Sequence, residues 1–210
     1  MWYRTQVGRS LRRSQRPTSA NLTRPFRYIN QAFQNTGRIT TDGFDLSIQY
    51  VQHTALGTFH EDLEGTSITQ FLEQQYSGGP NVNLVGNLGI TLLLPAYRWE
   101  HNLRVDWTSP QSMFGAGLNN RFYSTYTDQF GTGPINQGPR PTVGSYSLWD
   151  GFGVYRPTAK LAVLFGIKNL LNTAPPYTNA QQNNFAAGYN ALVADPLLRN
   201  FYINLKYTFF

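Results

Sequence analysis

The last ten residues of the chain alternate between apolar and polar side chains. Apolar or aromatic residues occupy every odd position from Phe201 to Phe209, and Asn204, Lys206 and Thr208 lie between them. Successive side chains of a strand point to opposite faces. The segment therefore predicts a β-strand with one face suited to lipid and the other to water, although a strand of a soluble sandwich shows the same alternation.

The same period of two recurs along the body of the chain. In its clearest example, from Tyr97 to Trp107, aromatic and aliphatic side chains with His101 share one face, and four charged residues with Asn102 share the other. A water-filled or plugged lumen would solvate these charges, while lipid would accept the aromatic side chains. Eight such segments are separated by turn residues. We predict strands at 26–35, 42–54, 57–73, 96–107, 112–126, 145–156, 159–171 and 199–210.

The connections between these segments alternate in length. Short turns are predicted around Ala55–Leu56, Ser109–Pro110 and Arg156–Pro157. Long loops rich in Gly, Pro and Asn are predicted at 74–95, 127–144 and 172–198. Short turns at one end and long loops at the other are typical of an outer-membrane barrel. We therefore predict an all-β fold, an antiparallel transmembrane β-barrel meander.

Composition supports this class of fold. Aromatic residues make up 15% of the chain, charged residues only 13%, and the mean hydropathy is −0.39. No segment approaches the roughly 18 apolar residues that a membrane helix needs, whereas barrel strands expose only alternate residues to lipid. Because the chain has no cysteine, a disulfide framework and a Cys-ligated zinc site are excluded.

The net charge of +6 comes from the beginning of the chain. Residues 28–210 carry ten Lys or Arg and eleven Asp or Glu, whereas the first 27 residues carry seven arginines and no acid. These are Arg4, Arg9, Arg12, Arg13, Arg16, Arg24 and Arg27. We expect residues 1–25 to be a basic head without a fixed fold. No apolar run follows its charges, so it does not read as a secretory signal peptide. A basic head could bind nucleic acid or an anionic membrane surface; we expect no nucleic-acid partner.

No pattern of catalytic residues is present. The histidines His53, His60 and His101 lack metal-ligand spacing, and no phosphate-binding loop or nucleophile motif occurs. Glu100 and Asp106 lie about 20 Å apart along one strand face, too far for paired-carboxylate chemistry. We therefore expect no enzyme activity, no metal site and no cofactor.

The C-terminal third of the chain carries a family resemblance. Its residues Asn169 to Pro176, with Gly188 to Asn190, Asp195–Pro196, Arg199 and the Tyr207–Phe209 ending, resemble the C-terminal signature of TonB-dependent outer-membrane receptors of the siderophore-receptor type. The signature positions are Asn169, Asn172, Pro175, Pro176, Gly188, Tyr189, Asp195, Pro196, Arg199, Tyr207, Phe209 and Phe210. Three departures occur: Asn172 replaces an Asp, Leu198 replaces a Gly, and Phe210 follows the usual Tyr-x-Phe ending. Weaker likeness extends the resemblance over 26–210.

The resemblance implies a barrel of 22 strands, filled by an N-terminal plug that contacts TonB. The segment 26–210 would then be about the last third of that barrel, and we expect the chain to be a fragment that is inactive alone. Implied partners are outer-membrane lipid, the barrel-assembly machinery through the C-terminal strand, TonB only through the parent's plug, and an extracellular iron chelate. A complete eight-stranded barrel and a soluble β-rich binding protein are the alternatives.

Candidate ligand contacts follow from residue type. Aromatic residues of the long loops could contact a ligand from outside, or could serve only as interface anchors and loop packing; they are Tyr76, Tyr126, Tyr177, Phe185 and Tyr189. Lumenal Arg98, Arg104 and Arg121 could guide an anionic chelate by electrostatic attraction, or could pair with nearby acids such as Glu100 and Asp106.

Overall fold

The computed structural model describes residues 37–89, 94–132, 138–182, 185–186 and 188–209, without the side chains of 181–182 and 185–186. Within these residues the regular elements are all strands. They are β1 (Arg38–Thr54), β2 (Gly57–Gln74), β3 (Val82–Asn83), β4 (Glu100–Thr108), β5 (Phe114–Tyr123), β6 (Tyr126–Thr127), β7 (Thr142–Val143), β8 (Tyr146–Thr158), β9 (Leu161–Lys168), β10 (Gln181–Gln182), β11 (Phe185–Ala186) and β12 (Asn200–Tyr207).

The long strands form one antiparallel meander. Their order is β1-β2-β4-β5-β8-β9-β12, and β3 adds a short pairing to β2. Two small sheets, β6–β7 and β10–β11, lie within the connections. In the described part of the chain β1 and β12 are the outer strands of the meander and are not hydrogen-bonded to each other. The predicted all-β antiparallel fold is confirmed, and the sheet is an open arc of a barrel-like fold.

None of the described residues belongs to a helix long and apolar enough to cross a membrane.

Seven of the eight predicted strands are present, with ends that differ by a few residues: β1, β2, β4, β5, β8, β9 and β12. The predicted strand 26–35 and the proposed boundary between the head and the barrel segment lie outside the described residues. The three long connections are also where the sequence predicted them. They contain the short strands β3, β6, β7, β10 and β11, which are too brief to give a visible alternation.

One predicted short turn lies three residues further along the chain than the sequence placed it. The sequence placed it at Arg156–Pro157, but β8 continues through Thr158 and the chain turns at Ala159 and Lys160. Proline has no backbone N–H to give to a ladder, and the β8–β9 register shifts between Tyr155 and Thr158. The proline is therefore accommodated as an irregularity within the strand rather than as a turn.

The pairing register gives the meander an apolar face and a polar face. Directly opposed residues of antiparallel strands share a face, so each row can be followed from strand to strand. One row of the apolar face joins Val105, Leu118, Gly151, Ile167 and Phe201. The corresponding row of the polar face joins Asp62, Arg104, Asn119 and Asp150. Glu61 is an exception, because it lies on the apolar face opposite Tyr50.

Asp150 interrupts an apolar alternation in β8, which the sequence could explain by a bulge or by a lumenal position. The register of β8 with β5 is regular around it, and Asp150 lies opposite Asn119 on the polar face. Tyr146 and Leu148 therefore share the polar face. Both are buried there because Ala194, from the connection before β12, packs over them.

The apolar face is not covered by protein in the described structure. Side chains such as Ile203, 68% exposed, and Leu205, 69% exposed, stand open along β12, and the buried clusters lie in the long connections. A contiguous apolar face of this kind marks a surface that another apolar phase covers. Lipid against alternate strand residues fits this arrangement.

The side chain of Tyr202 lies close to the backbone of Gly166 in β9, and a substitution at Gly166 can test this contact. The ring of Tyr202 on β12 occupies the space where a Cβ at Gly166 would lie. We expect Gly166→Ala to destabilise the folded state by about 1 kcal/mol, because the partly exposed ring of Tyr202 must turn away from the added methyl group. Gly153→Ala is the matched control, because nothing lies within 4 Å of its Cβ position. Urea unfolding followed by circular dichroism measures both; equal stability of the two variants would contradict the expectation.

Candidate ligand-binding site at the long-loop end

Three long connections leave the meander at the same end. We call them the first loop (75–99), the second loop (124–145) and the third loop (169–199). Backbone hydrogen bonds join the first to the second, since the N–H of Thr127 donates to Gly86 O at 2.8 Å and the N–H of Leu88 donates to Thr127 O at 2.9 Å. Arg140 Nη2 donates to Asn87 Oδ1 at 2.8 Å. The loops thus form one packed unit, called the loop layer below.

Asp128 joins the second loop to the third. Its carboxylate is fully buried. Oδ1 accepts from Thr178 Oγ1 at 2.6 Å and from the N–H of Gln129 at 2.7 Å, and Oδ2 accepts from the N–H of Asn179 at 2.7 Å. Sequence reasoning did not single out this residue, because a lone acid in a polar loop gives no local signal of burial.

An aromatic core holds the loop layer against the sheet. Leu88, Tyr97, Tyr126, Val143 and Ala180 form it. The rings of Tyr97 and Tyr126 lie 5.8 Å apart in an edge arrangement. Burial, with smaller contributions from the neighbouring tyrosines and Glu100, raises the pKa of Tyr97 above its usual range. Burial also raises the pKa of Tyr126, so both phenols stay neutral at physiological pH.

The predicted aromatic contacts have different environments. Tyr177 is 73% exposed and Tyr76 is 44% exposed. Tyr189 is half-buried against the Tyr146–Leu148 cluster, and Tyr126 is only 5% exposed. Phe185 lies in β11, and its side chain is outside the described part. The structure therefore leaves Tyr76 and Tyr177 open to solvent and assigns packing to Tyr126; ligand contact stays a prediction for all of them.

The three predicted arginines do not converge on one point. Arg104 Nε lies 2.7 Å from Asp106 Oδ2, and Arg121 Nη2 lies 3.3 Å from Asp150 Oδ2. Both pairs are partly exposed, and pairs of this kind contribute at most about 1 kcal/mol. Arg98 is exposed beside the first loop, where Nη2 donates to Val85 O at 3.5 Å. Of these three arginines, Arg98 alone makes no ion pair with another described residue, and it is therefore the most available of the three to an anion.

Below the loop layer, the polar face forms a cavity of about 700 Å³. Its lining includes Asp45, Glu64 and Glu100 together with Arg121 and Tyr123. Three carboxylates face one arginine that already pairs with Asp150. This part of the polar face is therefore acidic, which does not favour an anionic ligand against its wall.

The signature asparagines build the start of the third loop. Asn169 and Asn172 both have positive φ, 52° and 57°, a conformation that asparagine tolerates better than most residues. Asn169 bonds Thr173 through both its amide atoms at 2.8 Å. Asn172 Oδ1 accepts from the N–H of Arg199 at 3.0 Å. Asparagine at 172 therefore makes a side-chain acceptor bond that ties the end of β9 to the start of β12.

The other signature residues also lie in or beside the third loop, except at the terminus. Gly188 has a φ of 78° and its carbonyl accepts from the N–H of Thr178. Asp195 Oδ1 accepts from the N–H of Leu197 at 2.8 Å, and Pro196 is the exposed residue between them. Pro175 and Pro176 are half-buried, and Pro176 faces the small gap beside Tyr97. The rings of Tyr207 and Phe209 meet at 4.9 Å; Phe210 lies outside the described residues.

His101 lies on the apolar face, as its alternation predicted. It receives a hydrogen bond from Trp99 Nε1 at 2.8 Å and lies 3.1 Å from Asn120 Oδ1. Its ring stacks on Phe122 at 5.2 Å. Among the described side chains no three His, Asp or Glu residues are arranged to hold a metal ion.

Comparison with known proteins gives one structural likeness. No protein-family model matches the chain, and no curated protein matches it. A mutant of the ferric enterobactin receptor from Pseudomonas aeruginosa is similar in structure, with a TM-score of 0.52 and 15% sequence identity over 80% of this chain. The match covers 22% of the receptor, so this chain spans about a fifth of its length. At this identity the likeness shows the fold: an antiparallel β-sheet like part of the barrel of a siderophore receptor.

Proposed function

We propose that this chain is the C-terminal barrel segment of a TonB-dependent outer-membrane receptor whose complete form imports a scarce extracellular ligand such as a ferric siderophore. The observation that carries the proposal is the structural likeness to a ferric enterobactin receptor over 80% of the chain. The signature residue Asn169 supports it, because its side-chain amide fixes the turn that follows β9 through two bonds to Thr173.

The apolar face and the exposed edge of β12 each suit a different partner. The apolar face would contact outer-membrane lipid, and the exposed edge of β12 would be offered to the barrel-assembly machinery. TonB would be engaged only through a plug in the complete receptor. The segment carries no catalytic role in this proposal, and alone it would not transport.

A cellular experiment tests this proposal. The chain, given a secretion signal, is expressed in bacteria that lack their own ferric siderophore receptors. We expect it in the outer-membrane fraction without ferric siderophore uptake. Energised uptake by the chain alone would contradict the fragment assignment. Recovery as a stable protein in the soluble fraction would favour a soluble β-rich binding protein instead, and a heat-modifiable, autonomously folded band would favour a complete small barrel.

The ligand of the complete receptor would contact the loop layer. Tyr76 and Tyr177 are its exposed aromatic residues, and Arg98 is one of its arginines that form no ion pair with a described residue. These groups suit an aromatic, anionic chelate, because arginine attracts its charge and tyrosine offers apolar contact area with a polar end.

Charge reversal distinguishes Arg98 from Arg104. In a complete receptor containing this segment, we expect Arg98→Glu to weaken binding of an anionic ferric chelate severalfold at low salt and less at high salt, because salt screens exposed charges. Arg104→Glu is the matched control on the polar face of β4, and its smaller expected effect follows from its pair with Asp106. Titration of the chelate at two salt concentrations measures both affinities. An unchanged affinity in Arg98→Glu would remove this residue from the site.

A further inference from the structure

The polar face of β1, β2 and β4 carries a concentration of carboxylates that the proposed function does not use. Five carboxylates share it with one arginine, Arg104. They are Asp45, Asp62, Glu64, Glu100 and Asp106, and we call this surface the acidic area. Arg104 pairs with Asp106. The other four carboxylates have no cationic partner among the described residues.

Two features make the acidic area suited to hydrogen-bond donors from elsewhere. Asp45, Glu64 and Glu100 line one side of the cavity of about 700 Å³, so the surface is concave. The Oδ1 atoms of Asp62 and Asp106 are buried without a hydrogen-bond partner in the described structure. An unsatisfied buried acceptor is costly, and a cationic donor is the strongest partner that a carboxylate can gain.

The polar face has the opposite charge at the other side of the meander. Arg156, Lys160 and Lys206 line a second cavity, of about 710 Å³, next to β9 and β12, and no carboxylate lines it. A cationic segment would therefore be attracted to the β1–β4 side and repelled from the β9–β12 side. The polar face can select one position for such a segment.

The same chain contains a segment of opposite charge, which could bind the acidic area. The first 27 residues hold seven arginines and no acid. A chain spans at most about 3.3–3.6 Å per residue, so the ten steps from Arg27 to Gly37 cover up to about 35 Å. Asp45 is eight residues along β1 from Gly37, or about 27 Å at strand rise. Arginines of the head can therefore reach the acidic area without strain.

We propose that the arginine-rich segment 1–27 docks onto the acidic area of its own chain. It is held there by charge-assisted hydrogen bonds between guanidinium groups and carboxylates. This contact requires no fixed fold of the segment. It also does not depend on transport by the complete receptor.

Cysteine crosslinking tests the position, and the chain offers a clean background because it contains no cysteine. Ser14→Cys, between arginines of the head, is combined with one partner on the sheet. Gln49→Cys lies on the polar face opposite Asp62, and Gln52→Cys lies on the apolar face of the same strand. Asn204→Cys lies on the polar face at the basic cavity.

In detergent micelles at about 0.01 M salt, we expect the disulfide to Gln49→Cys to form severalfold faster than those to Gln52→Cys and Asn204→Cys. At about 1 M salt the difference should disappear, because the Debye length falls to about 3 Å. Adding Asp62→Asn and Glu64→Gln should slow the Gln49→Cys reaction severalfold. Equal rates at the three positions, or no response to neutralisation, would overturn the proposal.

Trypsin gives a second readout that does not depend on the cysteine variants. In the unmodified full chain, cleavage after the head arginines should be severalfold slower at low salt than at high salt, relative to cleavage after the exposed Lys160. Neutralising Asp62 and Glu64 should remove this difference. Retention of the head on vesicles of anionic phospholipid, with no crosslink at any of the three positions, would assign it to a membrane surface and overturn the proposal.

Discussion

Replacing Ile203 with arginine is expected to reduce strongly the fraction of the chain that folds in lipid bilayers. Ile203 lies in the middle of β12, paired with Phe165, and 68% of it is exposed on the apolar face. A cation on the lipid-facing side of a barrel costs about 2–4 kcal/mol near the bilayer midplane. Because most of this side chain faces away from the described protein, the cost falls directly on insertion.

The adjacent residue provides the control. Asn204 shares the polar face with Leu164. Asn204→Arg therefore introduces the same positive charge at the neighbouring position of β12, but on the polar face. Both variants are folded into phospholipid vesicles, and their tryptophan fluorescence is recorded as a function of urea concentration. This titration measures the free energy of unfolding of each variant. Equal losses for the two variants would mean that the apolar face does not contact lipid.

Alternation along the sequence was sufficient to predict the strands and their faces. In β4 the charged residues Glu100, Arg104 and Asp106 lie on the polar face, and Leu103, Val105 and Trp107 lie on the apolar face, as the period of two required. Each strand exposes one apolar face, so the signal is repeated in every segment and does not depend on contacts with distant residues. This is why the meander could be predicted before its register was known.

Partners across strands could not be predicted in the same way. Arg104 was expected to pair or to remain open to a ligand, and its pair with Asp106 lies within one strand. The partner of Arg121 is Asp150, 29 positions away, and this pair depends on the register of β5 with β8. A single strand contains no information about that register, so the arginines looked more available in the sequence than they are in the fold.

The loop layer was the part least accessible to sequence reasoning. Leu148 appeared to belong to a lipid-facing alternation, but it lies on the polar face and is covered by Ala194 from the third loop. Tyr126 appeared to be an exposed loop aromatic, and it is buried against Tyr97. Both outcomes depend on how loops far apart in sequence pack together, which neither composition nor periodicity reports.

Asp128 is where this packing can be tested, and we expect Asp128→Ala to release the third loop from the second. The substitution leaves the hydroxyl of Thr178 and the N–H groups of Gln129 and Asn179 without their acceptor. Each buried group left unpaired costs about 1–3 kcal/mol. Water that enters the opened loop layer would bind some of these groups and offset part of the cost. We therefore expect a net local destabilisation of about 2–5 kcal/mol.

Hydrogen exchange measures this effect residue by residue. In Asp128→Ala the amides of the second and third loops should exchange faster, while those of β4 and β5 keep their protection, because loops can open without the sheet. Asp195→Ala is the matched control: this exposed carboxylate also lies in the third loop but accepts one hydrogen bond, from Leu197. Unchanged protection in Asp128→Ala would show that the aromatic core around Tyr97 alone is sufficient to hold the loop layer together.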